Sequence, residues 1–162
     1  MSRRLLVVRH AKSDWSRSRP DHERPINARG RRSALALGAF LGDKAEAPER
    51  ILTSTATRAR TTARLVAEAA GWDAEVVEER GLYGTNVVGA LEVIAELGEG
   101  VQSLMVVGHQ PTWGQLVHHL SGGDVAMKTA TAVALDTDRS WRDLRTQCCS
   151  IAWVIQPRLL TD

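Results

Sequence analysis

The chain has 162 residues, 43% hydrophobic and 25% charged, with a formal net charge of +2. That length fits one core, so residues 1–162 are expected to form a single domain. The small net charge gives no footing for a nucleic-acid partner. No apolar run is long enough to cross a bilayer, and no charged-then-apolar leader opens the sequence. The expectation is a cytoplasmic protein with no membrane partner.

Aromatic residues make up only 4% of the chain, so the core must be built mainly from Leu, Val, Ile and Ala. The cations are overwhelmingly arginine, with Lys12, Lys44 and Lys128 as the only lysines. Arginine's planar fork suits bidentate recognition of phosphate or carboxylate, which is compatible with an anionic substrate. Cys148 and Cys149 are adjacent, which disfavours a disulfide, and no second pair exists to suggest zinc. They read as small buried residues near a strand, in a reducing compartment.

In chain order, Leu5 to Val8 is a short unbroken apolar run and reads as a buried strand of a parallel sheet. A polar loop rich in Arg and Ser follows, from Lys12 to about Pro25. Asn27 can cap a helix that starts near Ala28 and runs to Gly42. Arg50 to Thr53 reads as a second strand. A long helix from Arg58 to about Ala70 ends at Gly71. Ala74 to Val77 is a third strand, at an edge. A helix from about Val88 to Leu97 turns Leu91, Ile94, Ala95 and Leu97 inward. Ser103 to Val107 is a fourth buried strand, and Pro111 can start the helix after it. Thr131 to Leu135 and Ile151 to Ile155 are the last strands, joined by a polar turn around Asp136 to Ser140. Strands alternating with helices predict a three-layer α/β/α sandwich around a mainly parallel sheet of about six strands, with the final pair antiparallel at one edge.

Three strand ends carry the candidate chemistry: Arg9-His10, Ser54 to Arg58, and Gly108-His109. Ligands in such sheets bind beyond the carboxyl ends of the strands, so residues distant in sequence converge there. Two histidines with two arginines suit a phosphoryl group, whose oxygens need fixed positive donors, better than a metal ion. A metallohydrolase built on the five histidines is the competing reading. Histidine accepts a phosphoryl group when its attacking nitrogen is unprotonated. The neighbouring arginines are expected to keep His10 neutral, and a backbone carbonyl to fix its tautomer. His109 is expected to donate to a phosphoryl oxygen, and Arg58 to add its guanidinium at a helix start. Taken singly, each of these residues reads as an ordinary polar loop position. Recurrence at separate strand ends favours a site. His22 reads as a loop residue, and His118-His119 as helix surface. Trp15 and Trp113 lie near the pocket in sequence and could line it or pack in the core.

These residues resemble the histidine phosphatase superfamily. Arg9-His10-Ala11-Lys12-Ser13-Asp14-Trp15 is similar to its Arg-His-Gly opening, in the form found in small SixA-type phosphohistidine phosphatases. Asp21-His22-Glu23-Arg24-Pro25-Ile26-Asn27, Thr53 to Ala59 with Thr62-Ala63, Leu82-Tyr83-Gly84 and Val107 to Pro111 follow in the family's order and span essentially the whole chain. The resemblance implies a phosphoglycerate mutase-like fold. It also implies that His10 is phosphorylated, that Arg9, Arg58 and His109 form the phosphate pocket, and that Arg24 and Ser16 are further phosphate contacts. Neither a cofactor nor a metal is implied. Ala11 stands for the commoner glycine and Thr55 for the usual proline. The glutamate that mutase-like members place two residues beyond the leucine matched by Leu82 is Gly84 here, which leaves the general acid unassigned. Phosphohistidine expels a weakly basic imidazole and tolerates that loss better than an ester does. The expected substrate is therefore phosphohistidine on a protein partner. A small phosphorylated metabolite is the alternative, and a non-catalytic phosphate-binding module the alternative of another class.

Overall fold

In the computed structural model, which describes residues 2–161, the apolar runs become the centre of one sheet. Strand β1 spans Arg3–Arg9, β2 Arg50–Ser54, β3 Glu75–Glu79, β4 Ser103–Gly108, β5 Ala132–Thr137 and β6 Ser150–Ile155. Helices α1 (Ala28–Lys44), α2 (Thr57–Ala70), α3 (Val87–Leu97) and α4 (Thr112–Ser121) connect them. The sheet order is β3-β2-β4-β1-β5-β6. Strands β1 to β4 run parallel, while β5 is antiparallel to both β1 and β6.

Both faces of β1 are covered, which explains its unbroken apolar run. Leu5 and Val7 join a core with Ile94, Trp113 and Leu116 from α3 and α4. Leu6 and Val8 join a second core with Leu37, Leu41, Ala63 and Val66 from α1 and α2. These are the three layers expected from the alternating elements. The helix boundaries follow local chemistry. Asn27 Oδ1 accepts from Gly30 N at 2.8 Å and caps α1, and Asn86 does the same for α3 through Gly89 N at 2.9 Å. Gly71, in the left-handed region at φ 69°, ends α2.

Two expectations shift. On α3 it is Ala90 with Ile94 that is buried, while Ala95 stays half-exposed. The β5–β6 connection is longer than a tight turn because Trp141 drops into the core and donates its Nε1–H to Val101 O at 2.7 Å. Trp113 is fully buried and donates to Val106 O at 3.2 Å, so it supports the site from below rather than lining it. Both tryptophans are placed where the indole N–H finds a backbone carbonyl. Cys149 is buried and Cys148 half-buried, and both are free thiols just before β6. Burial pushes the Cys149 thiol well above its ordinary pKa.

Register places the functional edge. Arg9 of β1 pairs with Gly108 of β4, and Val107 pairs with Thr53 of β2, so three strand ends finish at one level. Gly108 allows this closeness, since a Cβ there would lie 2.6 Å from Trp113 Cζ2. Gly108→Ala is therefore expected to destabilise the fold by about 1–3 kcal/mol, the usual cost of overpacking a filled core. Urea denaturation should show a lower midpoint with an unchanged slope. An unchanged midpoint would contradict this account of the packing.

Candidate active site

His10 directly follows β1 and is 7% exposed. Its backbone is held from β4 and from the loop before β5, with His10 N donating to Gly108 O and Ala130 N donating to His10 O, each at 3.0 Å. Its Nδ1 lies 2.7 Å from the carbonyl oxygen of Ala11. A carbonyl only accepts, so Nδ1 carries the proton and Nε2 keeps its lone pair. Burial pushes the His10 pKa down to about 3, and His109, Arg58 and Arg9 add smaller shifts in the same direction against the opposing Ala11 bond. The sequence points to the arginines as the cause of neutrality, but burial is the larger one.

His109, just beyond β4, faces His10 with ring centroids 5.2 Å apart. Its Nε2 is 2.8 Å from Ser54 Oγ at the end of β2. Ser54 Oγ also accepts from Ala56 N at 3.2 Å, and its own proton can go to His109 Nε2. That assignment leaves the His109 Nδ1–H as a donor. Burial again lowers the pKa, to about 4.

The guanidinium groups are anchored around the histidines. Arg9 Nη1 donates to Met127 O at 3.1 Å. Arg58 turns back from the first turn of α2 and donates to Asp21 O at 2.6 Å and to Asp21 Oδ2 at 3.0 Å. Arg24 is buried, bonded to Asp21 Oδ1 at 2.8 Å and to Ser13 Oγ at 3.2 Å, with its guanidinium 3.7 Å from the centre of the Trp15 ring. Arg9 Nε, Arg58 Nε and His109 Nδ1 are buried atoms with no hydrogen-bond partner among the described residues. Unsatisfied buried donors are costly, and three from residues of one cluster call for an oxygen-rich ligand.

Asp21 organises this wall. It lies in a short 3-10 turn, Asp21–Glu23, within the polar loop after β1. Its carboxylate takes Arg58, Arg24 and the Tyr83 hydroxyl, the last at 2.6 Å. The Tyr83 bond and then the two arginines hold its carboxyl well below the usual carboxylate range. Tyr83 in turn sets its ring edge-on to His22 at 4.7 Å and to His109 at 5.6 Å. His22 is thus more than a loop residue: its Nε2 lies 2.7 Å from Thr55 Oγ1.

Of the residues singled out in the sequence, His10, Arg9, Arg58 and His109 converge, and Arg24 joins them through Asp21. Ser16 does not: it is exposed in the loop, and its amide bonds to Asp14 Oδ1 at 2.8 Å. His118 is exposed and His119 half-exposed on α4, as expected. Trp15 is 73% exposed at the rim beside Arg24. Asp21, Tyr83 and Ser54 gain their importance only in three dimensions. The one signal for Asp21 was its place in the Asp21-to-Asn27 block. Gly84 occupies the left-handed region at φ 64°, a conformation a glutamate would adopt only with strain.

Residues 5–87 match the profile of the histidine phosphatase superfamily (branch 1). The chain belongs to that superfamily. An uncharacterized protein of Mycobacterium tuberculosis is 33% identical over 162 residues, covering 93% of this chain and all of that one. Among solved structures, a candidate phosphohistidine phosphatase SixA from Nakamurella multipartitia is 28% identical, with TM-score 0.82 and 97% of each chain covered. A second candidate SixA, from Agrobacterium tumefaciens, is 26% identical with TM-score 0.82, covering 96% of this chain and 98% of that one. Within the superfamily this chain falls in the SixA-type branch, and its sheet is that of the phosphoglycerate mutase-like fold.

The histidine environments imply a pH dependence for this histidine phosphatase. Folded His10 and His109 stay neutral down to about 3 and 4, whereas in the unfolded chain both protonate near the reference pKa of about 6.5. The unfolded state then binds more protons in acid. Their contribution to stability is full above about pH 6.5 and is lost as pH falls toward the folded values. NMR titration should leave both rings unprotonated at pH 5. Ring shifts that titrate near pH 6.5 would contradict the buried, neutral site.

Proposed function

We propose that this chain is a metal-independent phosphatase that carries a phosphoryl group on His10 Nε2 and takes it from phosphohistidine on a protein partner. The observation that carries the reading is the His10 Nδ1 contact with Ala11 O, which leaves Nε2 free in a ring that burial keeps neutral. Nε2 attacks phosphorus while the bond to the partner's imidazole nitrogen breaks. Arg9, Arg58 and the His109 Nδ1–H receive the phosphoryl oxygens, and Arg24 adds charge from behind Asp21. These preplaced donors act where charge accumulates in the transition state. Water then attacks the phosphohistidine on His10, releasing inorganic phosphate and restoring the neutral ring. Ser16 has no part in this scheme.

The choice of substrate follows from the proton donors. Asp21 is the carboxylate in the cluster, and three donors keep it ionised, which makes it a poor acid at neutral pH. Glu78 is turned away to Arg64 and Arg60. A phosphate ester must expel a basic alkoxide and suffers from that lack, whereas phosphohistidine leaves as a neutral imidazole once solvent protonates its other nitrogen. Three arginines around the two neutral histidines repel a metal cation, so the proposed chemistry rests on the side chains themselves. Among the described residues, no helix is long and apolar enough to cross a membrane.

Turnover of a phosphohistidine peptide and of p-nitrophenyl phosphate, each with and without EDTA, tests the reading. The phosphoramidate is expected to be the better substrate by about a hundredfold in kcat/KM, within the range one acid catalyst contributes. Chelation should leave both rates unchanged. Faster turnover of the ester would point instead to a small-molecule phosphomonoesterase, and loss of activity in EDTA would overturn the metal-free scheme. Binding without turnover would leave a phosphate-binding module.

A further inference from the structure

A recess of about 110 Å³, lined in part by the segment that follows His10, is not used by the chemistry above. Lys12, Arg29, Lys128 and Arg158 line it, with Ser33 and Gln156 between them. These residues come from the loop after β1, the start of α1, the loop before β5 and the turn after β6. No carboxylate and no aromatic ring lines it among the described residues.

We propose that this recess docks a run of acidic side chains on the protein that presents the phosphohistidine. The inference rests on the function proposed above and names the partner's surface chemistry. Several arginines elsewhere are paired: Arg4 with Asp136, Arg50 with Glu75, Arg142 with Glu99, and both Arg139 and Arg145 with Asp143. The four cations of the recess form no ion pair and no side-chain hydrogen bond among the described residues. Gathering four cations that have no ion-pair partner among the described residues at one recess, in a protein of net charge only +2, creates a local field that attracts and orients an acidic partner.

Its location suits that task. Lys12 is two residues beyond His10, and its carbonyl accepts from Asn27 N at 2.9 Å. Lys128 follows Met127, whose carbonyl holds Arg9, and its own carbonyl accepts from Thr131 N at 3.0 Å. The recess is therefore built on the same two segments that fix the proposed nucleophile and its arginine. Its cations are exposed, in contrast to the buried donors of the phosphate pocket. Ammonium and guanidinium groups on solvated stems suit several carboxylates better than one tightly held dianion. A single-stranded nucleic acid would call for rings on which bases stack, and none lines the recess among the described residues.

The test uses the whole protein and an Arg29→Glu, Arg158→Glu double variant. Both residues are exposed, and glutamate in the first turn of α1 complements the helix dipole. A fluorescently labelled octaglutamate peptide should bind the wild type, at least tenfold more weakly the variant, and more weakly to the wild type as salt rises. Hydrolysis of p-nitrophenyl phosphate should be unchanged by the substitutions. In a second arm, a phosphohistidine peptide with glutamates flanking the histidine should be preferred about tenfold in kcat/KM over one with glutamines, and the variant should lose that preference. No binding, equal binding by both proteins, tighter binding of an oligonucleotide of equal charge, or no flank preference in the wild type would overturn the docking site. If the variant loses ester turnover, the Arg29→Gln, Arg158→Gln pair replaces it and must weaken peptide binding at least threefold. If the wild type hydrolyses the ester but neither phosphohistidine peptide, the functional reading fails, and octaglutamate binding alone decides the recess.

Discussion

Burial of β1 on both faces is the constraint from which the rest of this structure follows. A strand covered on both sides must be apolar throughout, so any polar group has to wait for its end. Here the change comes in one step, from Val8 to Arg9 and His10, with His10 still beneath the surface. The same burial keeps the imidazole neutral, and the short contact to Ala11 directs its lone pair outward. Strands β4 and β2, held in register with β1, bring His109 and Ser54 to the same level. Fold, tautomer and protonation state are thus consequences of one packing arrangement.

The second organising feature is electrostatic. Three guanidinium groups near one point repel each other, and such a cluster needs a counter-charge that leaves room for a ligand. Asp21 supplies it from the rim, taking Arg58 and Arg24 on separate carboxylate oxygens and receiving the Tyr83 hydroxyl as well. Arg9 and Arg58 are held by their outer nitrogens, while their Nε atoms have no partner among the described residues. An anionic ligand would complete the arrangement. The ion pairs that orient the pocket also keep Asp21 ionised, so positioning the arginines and donating a proton are competing uses of one carboxylate.

How much of this is legible in the sequence depends on whether the signal is local. His10, Arg9 and His109 stand out because apolar runs stop abruptly beside them, and Arg58 because it opens a helix right after a strand. The two layers of helices follow from periodicity, and the caps at Asn27 and Gly71 from residue chemistry. Asp21 and Tyr83 lie in irregular segments with no periodic signal, and their partners are 37 and 62 residues away from Asp21. Trp113 sits beside the pocket in sequence yet points into the core, because its helix packs beneath Gly108. Ser16 shows the reverse: proximity to His10 in the chain did not bring it to the cluster. The family resemblance located the residues in order, and only the fold showed which of them touch.

The proposed chemistry stands on His10 Nε2 as the atom that takes the phosphoryl group. Rapid acid-free quenching during turnover of a phosphohistidine peptide, followed by peptide mapping under alkaline conditions, addresses it most directly. An acid-labile, alkali-stable phosphoryl group on His10, absent from His10→Asn, is the predicted result. A phosphoryl group on any other residue, or full-rate turnover by the His10→Asn protein, would contradict it.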